Sequence, residues 1–227
     1  APDGWSRPID ILAAPFGDIA LPEALEYDRY GQLVLVWRTN NDLRISIASA
    51  DTAGRATAWL TSVIAANTGS TTAALAVADD GVYHLTFVRG NREIVYMAST
   101  DGGGSWQPET VVEQVMTPGL AVSVPCIAVN DRGGRFVAWA TNTEATNWAA
   151  AGVWFGRSID DGKTWSAPRV VSDTPGHGTP SLLYDAGGRL HLAWVGNLGA
   201  GGRYLTTSYD DGASFGPAVT LATPQQL

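Results

Sequence analysis

Lysine occurs once, at Lys163, and cysteine once, at Cys126. A single cysteine excludes an internal disulfide framework. It lies in VPCIAV, an apolar run that suits a buried core thiol better than a nucleophile. Charged residues are sparse, at 16% of the 227 positions, and the formal net charge is −8. That balance argues against nucleic acid or an anionic membrane surface as partner, because both select a basic face. No apolar run is long enough to span a bilayer, so membrane insertion is not expected. No signal peptide is present. A start at Ala1-Pro2 fits a mature secreted chain or a trimmed one.

What the chain has in plenty is glycine, with 26 residues, and tryptophan, with 9. Hydrophobic residues make up 45%, which fits a globular domain with a real core. Many tight turns joined by aromatic strands give this profile.

The sequence repeats. Ser49, Ser99, Ser158 and Ser208 each stand two residues before an aspartate, and successive aspartates are 50, 59 and 50 residues apart. Three copies read STDGGGSW, SIDDGKTW and SYDDGASF, or S-x-D-x-G-x-[ST]-[WF]. Their residues are Ser99, Asp101, Gly103 and Trp106, then Ser158, Asp160, Gly162 and Trp165, then Ser208, Asp210, Gly212 and Phe215. The first copy keeps Ser49 and Asp51, loses the glycine register and carries an insertion before Trp59. A second phrase precedes each copy: GQLVLVW, GVYHLTF, GRFVAWA and GRLHLAW. Each follows a tight turn with an apolar run before it.

Every unit thus reads strand A, turn, strand B, loop, strand C, Asp-containing turn, strand D. Short strands punctuated by Gly and Asp are hairpin grammar. Four antiparallel strands at this period predict an all-β propeller of four-stranded blades. The units run roughly over 20–66, 67–116, 117–174 and 175–227 of one domain, 1–227. Trp37, Phe87, Trp139 and Trp194 share one register at the end of strand B and are expected to fill the layers between blades. Each such ring buries ~150–250 Å².

The opening GWSRPIDIL matches TWSAPRVV at 164–171. It predicts an extra N-terminal outer strand, residues 1–19 being an orphan strand and connection. A surplus strand of this kind, Trp5 to Leu12, could add as an outer strand to the last blade of a small closed ring, be the stub of a blade lost from a larger propeller, or add to a sheet edge of another copy.

The S-x-D-x-G-x-[ST]-[WF] phrase resembles the Asp-box, or BNR repeat, of sialidase-like β-propellers. The resemblance covers almost the whole chain. It implies that Asp101, Asp160 and Asp210 are structural, holding backbone amides within the C–D turn, while glycine supplies a positive φ. Calcium at the DDG turns is the alternative, but no ligand-dense loop of calcium-site spacing surrounds them, so no metal or cofactor is expected.

The resemblance also implies a ligand face made by B–C loops and D–A connections. The longest B–C loop, 141–152, carries Asn142, Glu144, Asn147 and Trp148. Trp148 breaks the repeat pattern. It reads either as a sugar-stacking aromatic or as a loop anchor. Arg38, Arg89 and Arg92 fall near other B–C loops, and His177 lies in the last D–A connection as a polar contact or a solvated loop residue. His84 and His191 share a strand-B register, which reads as packing.

A sialidase of this family needs three converging arginines, a tyrosine paired with a glutamate, and an acid/base aspartate. The Arg-Ile-Pro signature is absent, and Ser6-Arg7-Pro8-Ile9 fits strand D better. No catalytic set is assigned. The expected role is a secreted, non-catalytic propeller that binds glycan or assembles with itself at the cell surface. The alternatives are a divergent or partial glycoside hydrolase and an interaction module of a larger surface protein.

Overall fold

A computed structural model describes residues 8–12, 17–69, 71–196 and 201–222. It contains four antiparallel sheets of four strands each. Blade one is β1 (Leu21–Tyr27), β2 (Gln32–Arg38), β3 (Leu43–Ser49) and β4 (Leu60–Ala65). Blade two is β5 (Ala73–Val77), β6 (Tyr83–Arg89), β7 (Glu93–Ser99) and β8 (Thr110–Gln114). Blade three is β9 (Leu120–Val129), β10 (Arg135–Thr143), β11 (Ala149–Ser158) and β12 (Arg169–Ser172). Blade four is β13 (His177–Tyr184), β14 (Leu190–Gly196), β15 (Gly202–Ser208) and β16 (Val219–Ala222). Strands pair in chain order within every blade, as the repeat predicts.

The core lies in layers between blades. Val34, Val36 and Ile45 of blade one pack on Leu75, Leu85 and Phe87 of blade two. Ile94 and Tyr96 pack on Val137 and Trp139, and Phe136 and Phe155 pack on Leu190 and Trp194. The strand-B aromatics Trp37, Phe87, Trp139 and Trp194 are all buried. Burial of each ring contributes about 2–3 kcal/mol.

Each Asp-box is a closed hydrogen-bond circuit. Ser158 Oγ donates to Asp160 Oδ1 at 2.7 Å and accepts from the Gly162 amide at 2.9 Å. Asp160 Oδ1 takes the Thr164 amide and Oδ2 takes its hydroxyl, at 2.9 and 2.6 Å. The circuits at Asp101 and Asp210 have the same bonds. These bonds to the ionised form hold all three carboxyls well below the usual carboxylate range, at about 2. In the first copy Ala53 stands where the others have glycine, and Trp59 turns its indole N–H to the Ala53 carbonyl at 3.0 Å.

The box also joins blades. The edge of the Trp165 ring meets Tyr96 of the preceding blade at 5.3 Å, and Phe215 meets Phe155 likewise at 5.0 Å. This arrangement follows the aromatic-pair geometry expected of ring quadrupoles.

Of the orphan outer strand, Trp5–Arg7 lie outside the described residues, and Pro8–Leu12 carries no strand pairing. Each of the four C strands already has a B strand on one edge and its own D strand on the other. Among the described residues, the outer edge of each D strand has no strand paired to it. Among the described residues, no helix is long and apolar enough to cross a membrane.

Candidate functional site on the B–C loop face

Three of the four A strands carry a bulge at one place, where they pass the strand-B tryptophan. The register shifts between Pro22 and Ala24 beside Trp37, between Ser123 and Cys126 beside Trp139, and between Gly178 and Ser181 beside Trp194. The residues inserted are Glu23, Val124 and Thr179. Val124 and Thr179 have φ of 48° and 52°, and each precedes a proline. A β-branched residue in the left-handed region is strained. Bulges of this kind re-aim side chains beside binding sites. All three mark the inner rim of the face made by B–C loops and D–A connections.

Around the rim of blades three and four the expected residues come together. Asn142 takes a hydrogen bond from Ser123 Oγ and sends its own Nδ2–H to the Trp148 carbonyl at 2.9 Å. The Trp148 amide donates to the Thr143 carbonyl at 2.9 Å. Glu144 opens a single 3-10 turn over Glu144–Thr146, and its amide binds the Gly119 carbonyl at 2.8 Å. Asn147 closes that turn in the left-handed conformation, and Trp148 follows at φ 61°. The loop is therefore pinned at both ends, yet the Trp148 side chain stays 49% exposed.

His177 stands beside this loop. It is buried, at 6% exposure, and opens β13 instead of lying in a loop. The expectation of a solvated residue is corrected by its packing. Its ring lies 4.5 Å from Tyr204, its Nδ1 accepts the Trp194 indole N–H at 2.9 Å, and Ser172 Oγ is 2.7 Å from the same nitrogen. Burial lowers its pKa from the ordinary value. The Gly176 amide binds the Ala150 carbonyl at 2.7 Å, which ties the His177 segment to the strand that follows Trp148.

The three arginines do not join them. Arg38 pairs with Glu23 at 2.6 Å across blade one. Arg89 is clamped by Glu93 at 2.7 Å and by Glu109. Arg92 caps the carbonyls of Val115 and Thr117 at 3.4 and 3.0 Å. Each guanidinium is spent on its own neighbourhood and none converges on the Trp148 loop.

The other two histidines pack, as their shared register predicts. His84 Nδ1 meets Tyr96 Oη at 2.8 Å, and burial pushes its pKa down to about 3. His191 Nε2 meets Asp185 Oδ2 at 3.0 Å. Among the described residues, no three His, Cys, Asp or Glu side chains are placed to hold a metal ion.

At the opposite end of the molecule, a cavity of about 950 Å³ opens among the A–B turns of blades two to four. Asp79, Asp80, Asp131, Arg132, Arg135 and Asp161 line it, and Arg135 pairs with Asp161 at 3.0 Å. None of the expected ligand residues lies there.

Glu23, Ser123, Val124, Thr179 and Tyr204 were not singled out from the sequence. Pro22 lies opposite Trp37 at the edge of its bulge, and Pro125 and Pro180 lie inside theirs; these prolines would have marked the bulges.

The profile of the BNR repeat-like domain matches residues 89–214, more than half of the chain. The chain belongs to the BNR repeat-like domain family. This BNR propeller is also similar to solved structures. It shares 14% identity and a TM-score of 0.63 with a protein of unknown function from Dyadobacter fermentans, covering 89% of this chain and 71% of that one. An alpha-L-arabinanase of Penicillium chrysogenum gives 16% identity and a TM-score of 0.63, covering 96% and 71%. NanB sialidase from Streptococcus pneumoniae gives 19% and 0.50, covering 77% and 27%. At these identities the likeness is one of fold. No curated protein matches the sequence of this BNR propeller.

Proposed function

We propose that this BNR propeller binds a saccharide on its B–C loop face, at the rim of blades three and four. Trp148 carries the reading. A large ring left half-exposed and held by backbone bonds on both sides costs little ordering entropy when a ligand arrives. Its apolar face suits the C–H face of a sugar ring, while Asn142 and Glu144 offer polar atoms for hydroxyls. The role is binding without turnover, outside the cell or at its surface. The fold likeness to saccharide-processing enzymes supports the ligand class only by analogy. A glycan panel tests it: retained binding by wild type and loss by Trp148→Ala supports the reading, and hydrolysis of any panel member favours a glycoside hydrolase instead.

A second reading, assembly with further copies, has its own support. Leu183, Val219 and Leu221 are exposed on the face of blade four turned away from blade three. Apolar surface of this kind marks association sites. Light scattering of wild type and Leu183→Asp tests it; a monomer at all concentrations removes it.

A further inference from the structure

His177 sits at a junction on which the Trp148 loop depends. The residues on either side of it both touch Ala150. Gly176 does so by its amide bond of 2.7 Å, and a Cβ on Gly178 would lie 2.7 Å from the Ala150 methyl. Two residues downstream, Thr179 holds its strained left-handed backbone before Pro180. The start of β13 is thus tightly docked on β11 while storing strain.

The protonation state of His177 is set by Trp194. An indole N–H can only donate, so the Nδ1 that accepts it carries a lone pair, shared with the Ser172 hydroxyl at 2.7 Å, and the proton rides on Nε2. Nε2 is buried and has no hydrogen-bond partner among the described residues. Tyr204 from β15 is the titratable side chain against the ring; Ser172 from β12 and Trp194 from β14 are uncharged. Asp173 is exposed in the D–A connection, and Arg203 is exposed next to Tyr204, on the other side of its sheet. Among the described residues, no carboxylate is therefore placed against the ring to balance an imidazolium.

We propose that His177 is a proton-sensitive latch between blades three and four. A proton taken from solvent adds to the Nδ1 lone pair. The Trp194 N–H then loses its acceptor and faces an N–H instead, while the new Nδ1–H can turn to Ser172 Oγ. One of the bonds that hold the start of β13 breaks, the backbone pairing with β14 remaining, and the strain at Thr179 favours loosening of its contact with β11. Acid thereby loosens the support of the Trp148 loop. That last consequence for a ligand rests on the proposed function; the latch itself does not.

The test uses the ligand-free protein, so its failure is separate from failure of saccharide binding. The Trp194 indole N–H resonance, assigned by its loss in Trp194→Phe, is followed from neutral to about pH 4 alongside the His177 ring resonance. The expected result is one shared midpoint, below the ordinary histidine value of 6.5. His177→Asn keeps an acceptor near the Nδ1 position without titrating there, and its Trp194 resonance is expected to stay constant. A Trp194 signal that ignores the His177 titration, or that still moves in His177→Asn, overturns the latch. If that variant does not fold, the two wild-type midpoints decide alone, and different midpoints overturn it.

Discussion

Gly162 stands so close to Tyr96 of the preceding blade that a methyl group on it would overlap the tyrosine ring. The Asp-box is thus an inter-blade clamp as well as a turn. Its glycine lets the hairpin touch the neighbour, and its aromatic meets the same ring edge-on. Gly212 repeats the contact on Phe155, at 2.6 Å.

Substitution separates the two demands on this glycine. Gly162→Ala must accept φ of 83° and also displace Tyr96. It is expected to destabilise the protein by about 3 kcal/mol, read from guanidinium denaturation. Gly102→Ala has φ of 68° but no neighbour nearer than 3.9 Å, so only the backbone cost of about 1 kcal/mol is expected. Equal losses in the two variants would refute the clamp.

Acid sensitivity follows from the box carboxyls. Asp101, Asp160 and Asp210 titrate at about 2 when folded, against 3.8 for the free group. A depressed folded pKa gives stability that is fully present above the unfolded value and lost as pH falls through the folded one. The denaturation midpoint is expected to drop between about pH 4 and pH 2. Asp160→Asn should lower the midpoint at neutral pH and flatten this drop.

Glu23 and Arg38 form a pair with side chains only 12% and 16% exposed. Removing Glu23 takes the anionic partner from a largely desolvated guanidinium. Glu23→Ala is expected to cost about 2–3 kcal/mol in denaturant titration. Because the pair lies on blade one, saccharide binding at Trp148 should survive within about twofold at a temperature where the variant is folded.

The repeat made the architecture legible. The box serine, aspartate and glycine placed three C–D turns, Ser49 and Asp51 placed the first, and the shared register of Trp37, Phe87, Trp139 and Trp194 placed the layers between blades. Those positions obey local rules, so sequence reads them. His177 was not legible, because its burial depends on Trp194 and Tyr204, far away in sequence and adjacent only once blade four is built. The arginines misled for a related reason. Their positions near loops were right, but their partners Glu23, Glu93 and Glu109 come from neighbouring strands and from the turn before β8. Trp148 stood out because it broke the repeat; its locked backbone required coordinates.

The proposed saccharide site is built on Trp148. The most direct measurement is calorimetric titration of a bound member of a glycan panel into wild type and Trp148→Ala, with matched denaturation curves. Trp148 is half-buried, so its truncation is expected to cost about 2–3 kcal/mol of stability, and affinities are compared at a temperature where both proteins are folded. Affinity is predicted to fall at least about tenfold, in line with loss of an aromatic anchor. Unchanged affinity in a folded Trp148→Ala protein would contradict the site.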